Sequence, residues 1–243
     1  VVPFPKPDSL EAARQMQEAL RERVILRGDA TKVRRIAALD ASAKKGEGLF
    51  AVAVLWDSDS NRVLAAASAH VAEEDLFPYV PGFLSFREAD AYLRALSALP
   101  EAPEGLLVDG QGIAHPRGLG IAAHLGVHLN LPAVGVAKRR LYGRETGTLA
   151  DEAGSAVPLC GPSRALGVPC PDCPGVQIGW VYRSRSGVKP VYVSPGHRVG
   201  MAEALFWLRS LPTKTKLPEP LRWAHRLAGR ARKENITGLL PLE

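Results

Sequence analysis

Two short apolar runs, each handing over to a charged side chain, limit what this chain can fold into. Leu106-Leu107-Val108 ends at Asp109, and Ala133–Val136 leads to Lys138. Each run is too short for a helix and reads as a buried strand. Between them, residues 119–129 read as a helix with Leu119, Ala122, Ala123, Gly126 and Leu129 on one face. Strand, helix, strand is the unit of a parallel α/β sheet, and open sheets of that kind place their ligands beyond the carboxyl ends of the strands. Asp109, His115 and Lys138 fall there.

Asp109-Gly110 by itself is an ordinary turn signal. Residues 110–115 nearly spell a dinucleotide fingerprint. His115 stands where its third glycine belongs, and no acid follows at the spacing that would hold a ribose. His124 and His128 have zinc-helix spacing but no intervening glutamate, so two partly buried structural histidines are expected.

Hydrophobic residues make up 46% of the 243, enough for a sizeable core. A net charge of +6 favours an anionic partner. No stretch approaches the ~18 apolar residues of a membrane span, and the N-terminus lacks a basic-then-apolar signal pattern. With three cysteines the chain is a poor disulfide framework. Cys160, Cys170 and Cys173 are therefore expected as free thiols in a soluble, cytoplasmic protein.

The expected organisation is a single domain over 1–243. An N-terminal helical region covers 1–30, with the helix itself over 8–27, capped by Asp8 and Glu11 and stopped by Gly28. Ile36-Ala37-Ala38-Leu39 reads as a strand ending at Asp40. Residues 50–56 and 63–70 add two strands, joined by turn chemistry at 57–61, and the three should form an antiparallel meander. Prolines around Tyr79 exclude regular structure. Ser85 and Glu88 then have capping-box spacing before a helix. Residues 144–174 look irregular, 176–182 and 190–193 read as a hairpin, and the last helices fall within 199–243. Arg226, Arg230, Arg232 and Lys233 make the terminal helix basic, either a solvated face or a phosphate contact.

Meander, helix, strand, helix, strand is the ribonuclease H-like order, an α/β fold with a mixed central sheet and helices on both faces. In it, carboxylates on the first and fourth strands become neighbours, and Asp40 and Asp109 occupy those posts. Glu88, whose other reading is a helix cap, supplies a third acid. Clustered carboxylates repel unless a cation neutralises them, and oxygen ligands suit Mg²⁺ or Mn²⁺.

Longer motifs carry a resemblance. They are Leu39-Asp40-Ala41-Ser42, the block Pro78–Glu88, Val108-Asp109-Gly110-Gln111-Gly112 with His115-Pro116-Arg117, Gly135-Val136-Ala137-Lys138, Ser194–Arg198 and Leu217–Pro220. On these the chain resembles the endonuclease V family over about residues 33–226. The resemblance implies a ribonuclease H-like fold. It also implies hydrolysis of the second phosphodiester 3′ to a deoxyinosine, leaving 3′-hydroxyl and 5′-phosphate ends, with Mg²⁺ or Mn²⁺ as cofactor. It makes Asp40, Glu88 and Asp109 the metal-binding acids, with His115 and Lys138 assisting near the phosphates. Tyr79, Val80 and Pro81 become a wedge that enters the duplex, and Gly82, Leu84, Gly110 and Ile121 line the pocket for the displaced base. His197 and Arg198 are implied phosphate contacts. The sequence departs from the family at Ala43-Lys44-Lys45, at Val80 and at Gln111, where histidine is frequent.

The expected partner is deoxyinosine-containing DNA, double- or single-stranded, bound by a monomer away from any membrane. Inosine-containing RNA, a non-catalytic nucleic-acid module of the same fold and a small-molecule hydrolase are the rivals.

Overall fold

The computed structural model describes residues 4–242. Its first helix, α1 (Leu10–Arg21), is capped by Ser9, whose side chain accepts from the Ala12 N–H. It ends well before Gly28, since the following segment is spent elsewhere: the Ile25 N–H donates to His197 Nδ1. Three long strands follow, β1 (Arg35–Lys44), β2 (Gly48–Asp57) and β3 (Arg62–Val71). They pair antiparallel, as a meander should. After a loop come α2 (Leu84–Ser97), β4 (Gly105–Val108), α3 (Ile121–Leu129) and β5 (Ala133–Ala137). The remainder is β6 (Arg144–Glu145), β7 (Ala156–Gly161), β8 (Val168–Pro169), β9 (Val176–Tyr182), β10 (Val191–His197), α4 (Met201–Ser210), α5 (Glu219–Glu234) and β11 (Gly238–Leu239).

Among the described residues these strands make one sheet in the order β11-β3-β2-β1-β4-β5-β10-β9-β7-β6, with β8 beside β9. The β1–β4 and β4–β5 pairs are parallel and the rest antiparallel. Strand periodicity sorts the core between two faces. Ile36, Ala38, Leu107, Val134 and Val136 pack with α4 and α5, while Ala37, Leu39, Leu106 and Val108 pack with α2 and α3. No described helix is long and apolar enough to cross a membrane.

Several expectations need correction. β1 does not end at Asp40 but runs to Lys44, because its pairing with β2 continues to the Lys44–Gly48 rung. On its other side, pairing with β4 stops at Leu39–Val108. Ser85 is not an N-cap. It lies within α2, where its hydroxyl pairs with His124 Nδ1 at 2.9 Å. Residues 144–174 are not structureless, since β7 pairs along β9 and Val168–Pro169 joins the same strand. That pairing folds the intervening loop back on itself and brings Cys160 and Cys173 to a Cα separation of 5.5 Å. The two form a disulfide, and Cys170 is the free thiol. His124 is buried among Phe4 and Phe86, as expected of a structural histidine.

Candidate active site

The alternation that buries Ile36 and Ala38 on the α5 face brings Asp40 to that face as well, and the same parity carries Leu107 to Asp109 and Val136 to Lys138. Parallel pairing in register makes Asp40 and Asp109 the first residues past the last β1–β4 rung. The Asp109 N–H donates to Leu39 O at 2.9 Å, which fixes the chain where the strands part. Three charged groups thus emerge side by side from three adjacent strands. Lys138 Nζ is ion-paired with Asp109 Oδ2 and lies 3.8 Å from Asp40 Oδ2.

A fourth group comes from the helix above. His225 of α5 sets Nδ1 at 2.7 Å from Asp40 Oδ2 and 3.3 Å from Lys138 Nζ. Ligand atoms of Asp40, Asp109 and His225 all lie within 4.8 Å of one another. Sequence reasoning did not single out His225. Its signal was position: Leu221, His225, Ala228 and Arg232 share a stripe of α5, so this histidine faces the sheet within a helix that is otherwise basic.

Glu88 approaches from α2 on the opposite face, just outside that group. Its carboxyl accepts from the Tyr92 hydroxyl at 3.2 Å. Burial, then the charge of Asp40, pushes its pKa up to about 8. Burial and Asp40 likewise raise Asp109 to about 6, against the pull of Lys138. Removal from water disfavours the charged form of both carboxyls, and a cation beside them would favour it again. Two aspartates and an imidazole converging there, with Glu88 nearby, are groups that can hold a divalent metal ion.

His115 stands apart from the acids and is buried. Its Nδ1 accepts the Arg117 N–H at 3.2 Å, which leaves Nε2 to donate to the Gly82 carbonyl at 3.0 Å. Burial, reinforced by Arg117, lowers its pKa to about 4, so the ring is neutral. Gln17 of α1 and Arg117 donate to the same carbonyl at 3.0 and 2.6 Å. This clamp holds the loop that presents Tyr79-Val80-Pro81. Gly82 takes φ +83° at the end of that loop, and a Cβ there would meet Arg117 at 2.8 Å. The Arg87 guanidinium pins the other end through the Phe77 carbonyl at 2.8 Å. Tyr79 between them is 72% exposed, an unusual place for a large aromatic side chain.

Behind the loop is a narrow cavity. It is lined by Gln17, Gly82, Leu84, Ser85, Gln111, His115, Leu119, Gly120, Ile121 and Leu141. Three of the four expected pocket residues are in this set. Gly110 lies behind it, where a Cβ would come within 2.5 Å of Ile121 Cγ2. The structure does not bring His197 and Arg198 to the acids. β10 runs antiparallel to β5, so Tyr192 pairs with Ala137 near the site while His197 pairs with Ala133 at the far end. There both side chains engage Asn130.

A mixed sheet with acids leaving β1 and β4 side by side, and helices on both faces, defines a ribonuclease H-like fold. The Endonuclease V family model matches residues 18–226. Endonuclease V of Thermus thermophilus is 62% identical over 231 residues, 95% of this chain and 97% of that protein. The crystal structure of Endonuclease V from Streptomyces avermitilis superposes with a TM-score of 0.81 at 38% identity, covering 97% of this chain and 99% of that one. A Ciona intestinalis Endonuclease V variant in complex with a 23mer DNA containing an inosine followed by a ribo-adenosine gives a TM-score of 0.75 at 25% identity, covering 93% and 98%. The chain belongs to the Endonuclease V family and is a nuclease.

Proposed function

We propose that this nuclease recognises deoxyinosine in DNA and, with Mg²⁺, hydrolyses the second phosphodiester 3′ to the lesion, leaving 3′-hydroxyl and 5′-phosphate ends. The observation that carries the reading is the cluster of two carboxylates and an imidazole at Asp40, Asp109 and His225, together with an exposed Tyr79 on a clamped loop whose Gly82 lines a narrow cavity. Inosine-containing DNA bound by the Ciona relative supports the choice of substrate.

A base inside a duplex cannot be inspected, so it must leave the stack at a cost of a few kcal/mol. Tyr79, held rigidly between Arg87 and the Gly82 clamp, fills the gap and delays re-stacking. Asp40, Asp109 and His225, with Glu88 behind them, would hold the cation. When bound, Mg²⁺ supplies charge for the phosphoryl oxygens and an acidified water. Lys138 bridges Asp40 and Asp109 and lies where it can offset charge building on a phosphate oxygen. His115 serves by holding Gly82 and so the wedge, as a neutral ring with both nitrogens engaged.

Matched DNA and RNA duplexes, each with one inosine or one adenosine, test the reading. Mg²⁺-dependent nicking of the inosine DNA at the second bond 3′ to the lesion is expected. Preferred cutting of the RNA would reassign the enzyme to inosine-containing RNA, and indifference to inosine would refute the reading.

A further inference from the structure

Among the described residues, Tyr92 is the largest side chain buried almost completely, at 1% exposure. Its ring sits in the apolar core with Ala37, Leu39, Leu106 and Val108, on the α2 side of the sheet. Phenylalanine or leucine would fill such a place without a polar atom. Tyrosine brings a hydroxyl that has to find an acceptor there. It finds Glu88, one turn earlier on the same helix, and donates to Oε2 at 3.2 Å. Residues four apart on a helix meet side by side, so this pairing is built into α2.

The choice of partner is informative. Asp40 and Asp109 are near enough to bear on the Glu88 carboxyl electrostatically. The cations around it are engaged elsewhere. Lys138 pairs with Asp109 and Asp40. Arg87 spends one nitrogen on the Phe77 carbonyl and another on Glu73 at 2.9 Å. An arginine or lysine in place of Tyr92 would hold Glu88 as well, but would cancel its charge. A neutral hydroxyl fixes one oxygen and leaves the negative charge in place. Because the ring is locked by core packing, the hydroxyl is a fixed point that limits how the carboxylate can turn.

We propose that Tyr92 is a positioning residue of the nuclease centre: its buried hydroxyl holds one oxygen of Glu88, so that the carboxylate stays turned toward Asp40 and Asp109 with its charge available to a divalent cation. The assignment rests on the proposed metal-dependent reading, since without a cation beside the aspartates Glu88 has nothing to complete. Partners that orient a metal ligand in this way are worth about 10–100-fold in metal affinity. If Glu88 served only to satisfy a buried tyrosine, removing the hydroxyl would change stability and leave metal binding alone.

Mn²⁺ binding to the full-length, DNA-free protein is followed by the electron paramagnetic resonance signal of the free ion. The wild type is compared with Tyr92→Phe, Glu88→Gln, the double variant and Asp109→Asn, and metal-free thermal unfolding is measured in parallel. Tyr92→Phe keeps the ring and removes only the hydroxyl. It should raise the Mn²⁺ Kd about tenfold. In the Glu88→Gln background the same change should shift Kd by no more than about twofold, because Tyr92 acts through Glu88. Each Kd is taken from the shape of the titration and not from the number of sites, so a partly unfolded preparation still reports. An unchanged Kd in Tyr92→Phe overturns the assignment, whatever happens to the unfolding temperature. A tenfold effect that persists in the Glu88→Gln background overturns it too, since Tyr92 then acts by another route. A wild type that binds Mn²⁺ no better than Asp109→Asn overturns the metal reading itself.

Discussion

Nδ1 of His225 lies 2.7 Å from Oδ2 of Asp40, a contact between residues 185 positions apart. It ties α5 to the central strand at the point where β4 stops pairing. An imidazole so placed completes the donor set that the two aspartates begin. His225→Ala should therefore raise the Mg²⁺ concentration needed for half-maximal nicking by about tenfold or more, on the scale of lost metal-site partners. A metal titration of nicking rate checks this, and an unshifted midpoint would make His225 a packing residue.

Lys138→Ala should lower the single-turnover rate by about a hundredfold, on the scale of one lost electrostatic donor, with a modest loss of DNA affinity. A lysine serving only a distant phosphate behaves otherwise. Its loss would leave the rate at saturating enzyme unchanged and reduce the salt slope of binding by about one ion. Single-turnover nicking beside binding in Ca²⁺ tells the two roles apart.

Tyr79→Ala should weaken discrimination for inosine in a duplex more than cleavage of a single-stranded inosine substrate. The wedge matters where stacking must be broken, and the exposed ring makes little contact with the rest of the fold. Equal losses on both substrates would point to folding or catalysis instead.

Burial also sets an acid limit on stability. His115 is lowered to about 4 and His124 to about 3 by removal from water. Unfolded, each takes its proton near pH 6.5. Stability is therefore complete above that value and falls with pH through the window between 6.5 and the folded values, where the unfolded chain binds more protons. The loss is about 1.4 kcal/mol per pH unit for each ring. His124 Nε2 is buried without a partner, and the ring packs between Phe4 and Phe86. His124→Phe should thus flatten the pH dependence, and denaturation midpoints at pH 7 and pH 4.5 measure it. A parallel shift at both pH values would contradict the buried neutral ring.

Apolar runs made the centre of the fold legible. Unbroken buried runs of nine, four and five residues mark β2, β4 and β5, and the acids that follow β4 or interrupt β1 stand out against them. What local pattern could not show is pairing. Asp40 looked like a strand end because the apolar run from Ile36 to Leu39 stops there, while pairing with β2 carries β1 onward. Ser85 and Glu88 had the spacing of a cap, but the helix begins at Leu84 and turns both inward, one to His124 and one toward the acids. Pro158 hid β7, and two-residue strands exist only through their partners. The Cys160–Cys173 disulfide follows from that same pairing. His225 was masked by the arginines around it, although the stripe it shares with Leu221 and Ala228 turns it to the sheet.

Asp40 and Asp109 are proposed to form the hydrolytic centre. Its most direct test is single-turnover nicking of a duplex with one inosine, at saturating Mg²⁺, by the wild type and by Asp40→Asn and Asp109→Asn. Binding in Ca²⁺ and thermal unfolding are followed in parallel. Loss of nicking in both variants, with folding and inosine binding retained, is the predicted result. Comparable nicking by either variant would contradict it.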